Sequence, residues 1–470
     1  KEDNMSKSHI LFVTGKLAEN NLSKILEDIK EKEFTYEIRC ININVAALLT
    51  TELILKKLGS ISGFDKVIIP GKARGDIKDL QKSLGVLVER GPEELKDLPA
   101  LFGGESLKYD LTQYEVHIFA EITDAPMLDI ESIVNIAREY QRCGAEVIDI
   151  GCLPNHDFPH LAETIQELKN NKFYVSIDSH NREEIIKGSN AGADYVLSLK
   201  KNNFDILDSI NSTPVIIPNS TDDFDSLIWC IEQCKNNKEN FIADPILDPL
   251  NFGFTDSLMK YHKLRQMYPD INIMMGTGNI TELTHADTSG ITAILMGIIT
   301  ELKINHILTA QVSNHCRTVI KETDIARRIM YAAAKNNVTP KHINNGLLIN
   351  HDAESNKITS NDIEELYKKV KDKNYRIILS KDGINLFNKS GKIIATDPYD
   401  FFDHIDVEGD IGHAYYLGIE LAKAQIAYQL GKEYEQDEEL EWGCLIDKEI
   451  DDKMEFKETR STYKKKKNNK

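Results

Sequence analysis

The chain has 470 residues, with 57 Lys+Arg against 75 Asp+Glu for a net charge of -18, and 41% of its residues are hydrophobic. That is a globular composition long enough for two to four domains. It lacks the basic footprint that nucleic acids and anionic membrane surfaces require, so neither is expected as a partner.

The N-terminus "KEDNMSKSH" has no apolar core of a secretion signal, and the longest apolar stretch, "ITAILMGII" at 291–299, is too short to span a bilayer. The seven cysteines are odd in number and scattered, so reduced thiols in a cytoplasm are expected. Cys230 and Cys234 lie four apart but lack two further ligands nearby, which reads as packing rather than metal binding.

In chain order, "HILFVTG", "YEIRCININ", "FDKVIIPG" and "GVLVERGP" are strand-like runs separated by helical patterns. They predict a doubly wound α/β domain over residues 6–112. "PGKARGD" follows a strand with two glycines and two cations, yet matches neither a P-loop nor G-x-G-x-x-G, and reads as a strand-to-helix turn. From 115 to 338 the rhythm changes. Eight short apolar runs follow: 116–121, 146–151, 173–178, 194–199, 214–219, 240–244, 271–276 and 305–311, with amphipathic helical patterns between them. Eight βα units predict a (β/α)8 barrel of roughly 250 residues, with an eight-stranded open sheet as the alternative. Residues 340–446 carry hairpin signals around "DG" and "SG" and a helix over "GHAYYLGIELAKAQIAYQLGKEY", giving a small C-terminal α+β domain. Residues 447–470 read as a polar, disordered tail ending in "YKKKKNNK".

A barrel places its active site at the C-terminal ends of its strands. The residues there are Glu121, Thr123 and Asp124 after the first run, then Asp149, Asn155 and His156. Asp178, His180, Ser198 and Asn219 follow. The last four runs add Asp244 and Asp248, Thr277, Gly278 and Asn279, and finally Gln311, Asn314, His315 and Arg317. Such a mouth is rich in acids and amides. His117 alone on the first strand argues against a metal hydrolase, and the absence of a strand lysine argues against a Schiff-base enzyme. Buried acids and amides suit a flat, amine-rich ring, because a carboxylate matches two adjacent N–H groups and an amide can face a ring nitrogen or carbonyl. Asp178, just before "SHNREE", also suits a plain helix cap.

These residues resemble the pterin-binding barrel family, which includes dihydropteroate synthase and the pterin-dependent corrinoid methyltransferases. "GAEVIDIG", "VSIDS" and "ADPILDPLNFGF" are similar to its second-, third- and sixth-strand motifs. With "ILFVTGKLAE", "PGKARGD" and "GHAYYLGIELAKAQIAYQLGK", the whole chain resembles the three-part dihydropteroate synthase-related proteins associated with tetrahydromethanopterin. The resemblance implies a reduced pterin as substrate or ligand, held by Asp149, Asp178, Ser198, Asp244 and Asn279. Thr277, Gly278 and Arg317 would bind phosphate. Mg2+ is possible, an arylamine would be the second substrate, and a homodimer is possible; no metal-ligand set is assigned.

The family's first-strand Asn, fourth-strand Asn-Asp and seventh-strand Lys are replaced here by "FAEITDAP", "YVLSL" and "MMGTGNITE". The last segment is closer to the methyltransferase pattern. Three functions therefore stay open. One is condensation of a hydroxymethyl-dihydropterin diphosphate with an arylamine. Another is pterin-dependent methyl transfer, and the third is pterin binding without catalysis. "DIGHAYYLG" faintly resembles a corrinoid motif with the wrong spacing, and His413 reads as a residue of a helix N-terminus.

Overall fold

The computed structural model describes residues 7–29, 33–154, 156–353, 358–407 and 409–446. Asn155 and the expected tail at 447–470 lie outside the described residues. The chain divides into two compact units. One runs to Glu115 and takes up Arg327–Ile343; the other comprises Val116–Ala326 and the chain from Asn344 on.

The first unit holds a four-stranded parallel sheet in the order β2-β1-β3-β4. Its elements are β1 (Ser8–Thr14), α1 (Lys16–Asp28), β2 (Phe34–Cys40), α2 (Thr51–Lys57), β3 (Lys66–Ile69), α3 (Ile77–Leu84) and β4 (Leu87–Arg90). Alternate residues of β1 feed two cores on opposite faces. Leu11 and Val13 pack with Ile54 of α2 and Leu80 of α3, while Ile10 and Phe12 pack with Leu22 and Leu26 of α1. This period-two division makes the unit doubly wound, as expected. The "PGKARGD" segment is a turn in which Lys72 pairs with Glu94 at 2.8 Å, and Asp76 caps α3 by accepting from the Lys78 amide.

The second unit contains a closed barrel of eight parallel strands. Its strands and helices alternate: β5 (His117–Ile122), α4 (Ile130–Arg142), β6 (Val147–Gly151), α5 (Leu161–Asn170), β7 (Tyr174–Asp178), α6 (Arg182–Asn190) and β8 (Tyr195–Leu199). A 3-10 stretch, Lys201–Ser209, replaces the fourth helix. Then come β9 (Thr213–Ile216), α7 (Phe224–Asn237), β10 (Ile242–Ala243), α8 (Phe254–Met267), β11 (Asn272–Gly276), α9 (Gly278–Thr281), α10 (Thr288–Glu301), β12 (His306–Ala310) and α11 (Val319–Asn336), of which the part from Arg327 on counts with the first unit. β9 pairs with β10 and β12 with β5, so the ring has no edge and the open-sheet alternative is excluded.

Barrel strands present alternate residues inward. Phe119, Val147, Leu197, Val215, Ile242 and Met274 form an apolar layer across the interior. Two residues further along their strands stand Glu121, Asp149 and Asp244. This period answers why buried-looking strands end in acids: the carboxylates occupy the last inward layer, above an apolar floor.

Beyond the barrel lie α12 (Ser360–Lys369), β13 (Arg376–Ser380), β14 (Gly383–Asn388), β15 (Gly391–Ala395) and α13 (Ile411–Leu430). The three strands form an antiparallel meander, one strand more than the two expected from the turn signals, with β14 buried along its whole length. Asp410 caps α13 by accepting from the His413 amide, so His413 sits in the first turn of a helix. Among the described residues no helix is long and apolar enough to cross a membrane.

Candidate functional site

The C-terminal ends of the barrel strands surround a cavity of about 550 Å³. Its floor is the apolar layer, through Leu197, Val215, Met274 and Leu308. Its upper wall carries Glu121, Asp178, Asp244 and Glu282, with Ser198, Gly278 and Asn279. Among the described residues the lining contains no lysine and no arginine.

The acids fall into two groups. Glu121, Asp149 and Asp178 stand on neighbouring strands: Glu121 is in register with Asp149, and Gly151 with Asp178. Gly151 is required here, because a Cβ on it would lie 2.8 Å from Glu121 Oε1. Asp149 is fully buried behind the cavity wall. Its Oδ1 accepts from the Ser176 hydroxyl at 2.5 Å, and its Oδ2 has no partner. Burial raises Asp149 well above the ordinary carboxylate range, and Asp178 and Glu121 push it further. Burial and then the charge of Asp178 lift Glu121 to about 7. Asp178 is raised by burial, against the lowering effects of the Ser198 hydroxyl, which donates to its Oδ1 at 2.7 Å, and of His180 and Lys200. Three carboxyls so close cannot all ionise, so protons remain in this group near neutrality.

Asp244 stands apart on the other side. The Tyr261 hydroxyl and the Ile246 amide both donate to its Oδ1, at 2.6 and 2.8 Å, which leaves Oδ2 for the cavity. Burial pushes Asp244 up to about 6 despite those two donors. Ser198 and Ile246, both in the lining, have φ values of 71° and 69°. A β-branched residue in the left-handed region is strained by roughly 1–3 kcal/mol, and such strain is held where surrounding contacts over-determine it. Here the bond from the Ile246 amide to Asp244 is one such contact.

Asn279 lines the cavity from α9. Its Nδ2 donates to the Leu247 carbonyl at 2.8 Å, which fixes the amide and leaves its oxygen and second hydrogen for a ligand. Glu282, one turn on, accepts from the Val312 and Ser313 amides at 2.8 and 2.9 Å and is held ionised by those bonds against its burial.

The geometry thus brings Asp178, Ser198, Asp244, Gly278 and Asn279 to one cavity, with Asp149 directly behind Asp178 and Glu121. It does not bring Thr277 or Arg317 there. The Thr277 amide and hydroxyl both turn to the Leu308 carbonyl, and Arg317 is exposed outside the lining. The helix-cap reading of Asp178 is replaced by Asn181, whose side chain accepts from the Glu183 amide. Asn219 is taken up locally, accepting from the Asn202 amide and donating to Asp223. Asp248 is buried outside the lining and faces Lys260. Three contributors were not singled out from sequence. Glu282 lies three residues after Asn279, a helical spacing that could have found it. Tyr261 and Ser176 orient acids on other elements, for which no local signal exists. Among the described residues no group of three or more His, Cys, Asp and Glu side chains is arranged to hold a metal ion.

Residues 8–93 match the model of a family of unknown function, DUF6513. The chain is 27% identical to the uncharacterized protein MJ0107 of Methanocaldococcus jannaschii, over 92% of this chain and 98% of that protein. It is similar to solved dihydropteroate synthases. One is from Coxiella burnetii in complex with pteroic acid, at 16% identity over 48% of this chain and 94% of that one, with a TM-score of 0.39. Another is from Yersinia pestis with a pterine-sulfa conjugate, at 14% identity over 48% and 96%, with a TM-score of 0.38. Likeness of this degree does not identify a reaction.

Proposed function

We propose that the barrel binds a reduced pterin, and that the chemistry it serves leaves a diphosphate out. The observation that carries this reading is the lining itself: carboxylates on opposite walls, one fixed amide, and no cation among the described residues. The 2-amino-4-oxo edge of a pterin presents two adjacent N–H groups, which suit the acceptor pair of an ionised Asp178 or the free Oδ2 of Asp244. A proton held among Glu121, Asp149 and Asp178 supplies a donor for a ring nitrogen or carbonyl. The apolar floor takes the ring face.

The condensation reading needs groups that hold a leaving diphosphate, and of the three anion ligands expected for it only Gly278 lines the cavity, while Thr277 and Arg317 do not. An acid-rich lining in which Asp244 and Glu282 are joined by a partly ionised Glu121 and Asp178 opposes a polyanion. Methyl transfer from a pterin, or pterin binding for another purpose, requires no such ligands. Asn279 favours the methyl-transfer version, because a neutral amide tolerates a change of charge at the ring. The protein is then a transferase-type barrel acting on a tetrahydromethanopterin- or folate-type cofactor in the cytoplasm. Calorimetric titration with a tetrahydropterin, beside its hydroxymethyl-dihydropterin diphosphate counterpart, tests this. The neutral pterin should bind and the diphosphate should bind no more tightly. Release of diphosphate on adding an arylamine would restore the condensation reading, and absence of any pterin binding would end both.

A further inference from the structure

Helix α13 is apolar on both faces. Its inner face packs Leu417, Leu421, Ala424 and Ala427 into the core of the C-terminal region. Its outer face is also apolar, with Ile411 84%, Tyr415 73%, Ile419 40% and Ile426 38% exposed. At 3.6 residues per turn, ten outward positions share one arc: those four with Gly412, Ala414, Gly418, Ala422, Gln425 and Gln429. None is charged. In a chain whose residues are 28% charged, ten positions would carry about three charges by composition alone, and more on a surface. An uncharged, largely apolar outer face opposite an inner face packed in the core is the pattern of a helix covered on both sides.

We propose that this face is covered by the same face of a second copy of the chain, with the two helices antiparallel about a two-fold axis. The spacing carries the geometry. Positions 411, 415, 418, 422, 425 and 429 alternate steps of four and three, the 3.5-residue period of a two-helix seam. About an axis at the level of residue 420, the seam matches itself: Gly418 meets Ala422, Tyr415 meets Gln425, and Ile411 meets Gln429. Small residues fall at the centre, where backbones approach, and large ones fall at the ends. Such a self-match is what an isologous interface requires. The antiparallel arrangement also sets the positive end of each helix beside the negative end of the other.

Electrostatics favours a copy of the chain specifically. Two molecules of net charge -18 repel over most of their surfaces, and this uncharged arc lets them meet without like charges facing. Tyr399 and Phe402, 88% and 79% exposed, flank Phe401, which is buried in the same core as Leu417.

The proposal does not rest on the pterin reading. Light scattering of the full chain, of Ala422→Glu, of Ala422→Lys and of their mixture tests it. Position 422 is exposed, and both new residues are good helix formers, so melting curves should match the parent. The parent should be a dimer. Each variant alone should dissociate about tenfold or more readily, because the two like charges stand about 6 Å apart along the seam, on either side of the axis. The mixture should recover the dimer through the opposite pair. A monomeric parent, a dimer indifferent to both substitutions, or two monomeric variants that fail to pair on mixing would each overturn it.

Discussion

At the N-terminal end of the barrel, the His306 ring lies tilted 5.5 Å from His117 and edge-on 5.8 Å from Phe119, which in turn meets Tyr195 edge-on at 4.9 Å. Its Nδ1 bonds Asn305, and burial with the nearby His117 lowers it to about 4, so it is neutral and enclosed. At the C-terminal end the deeply buried acids Glu121, Asp149, Asp178 and Asp244 are raised, while Glu282, bonded to two amides, is lowered. Glu121, Asp178 and Asp244 border an open cavity, and Asp149, enclosed behind them, keeps an oxygen without a partner. Both ends bury ionisable groups of one barrel, yet only one end leaves bonding capacity unspent. Burial and a shifted titration therefore do not mark a site by themselves; bonding capacity left open on an accessible cavity, as at Asp244 and Asn279, does.

The two ends should pull stability in opposite directions with pH, which is the largest expected effect. His306 is lowered, so the folded state binds fewer protons than the unfolded one. Its contribution is present above pH 6.5 and is lost as pH falls through about 4, with about 3 kcal/mol at stake. Glu121 is raised, so its contribution is present below pH 4.5 and is lost as pH rises through about 7. Denaturant titrations of the unliganded protein should show His306→Gln flattening the acid limb and Glu121→Gln flattening the neutral limb. If both variants alter the same limb, the contrast between the ends fails.

Asp244→Asn sharpens the contrast next. The new amide can keep the Tyr261 and Ile246 bonds on its oxygen but turns an N–H toward the cavity. Pterin affinity should drop by about 1.5–3 kcal/mol, the scale of a charge-assisted bond, while the melting temperature holds or rises. A titration in which affinity is unchanged would remove Asp244 from the binding wall.

Gly151→Ala should cost about 1–3 kcal/mol of stability, since the added Cβ must displace Glu121 or the backbone at Ile122 and Thr123. Thermal melting checks it, and an unperturbed melting curve would mean that Glu121 does not lie over this glycine. The smallest effect is expected from Asn279→Ala. Loss of its bond to the Leu247 carbonyl should cost about 1 kcal/mol and weaken pterin binding several-fold in the same titration.

Much of this architecture was legible in the chain. The eight runs from "VHIFAE" to "NHILTAQ" each contain a barrel strand, because period-two burial and short apolar length are local properties. The inward acids were legible for the same reason: Asp244 ends such a run and Asp149 lies two residues before the end of another. What was not legible depends on contacts between elements. Nothing near Asp244 announces Tyr261, seventeen residues away on α8. Thr277 and Arg317 sit after the right strands, but whether such a residue turns inward or into the wall is decided by the loop's own bonds. The meander's third strand, Gly391–Ala395, was missed because its exposed edge has little alternation to read.

The claim that the cavity recognises the amine-bearing edge of a pterin is tested most directly by one pair of titrations at neutral pH. The protein is titrated with a tetrahydropterin, then with the analogous ring carrying a 2-oxo group in place of the 2-amino group, each with the parent and with Asp178→Asn. The parent should prefer the amino ring by about tenfold or more, and the preference should collapse in the variant. Equal affinity for both rings, or a preference that survives Asp178→Asn unchanged, would contradict it.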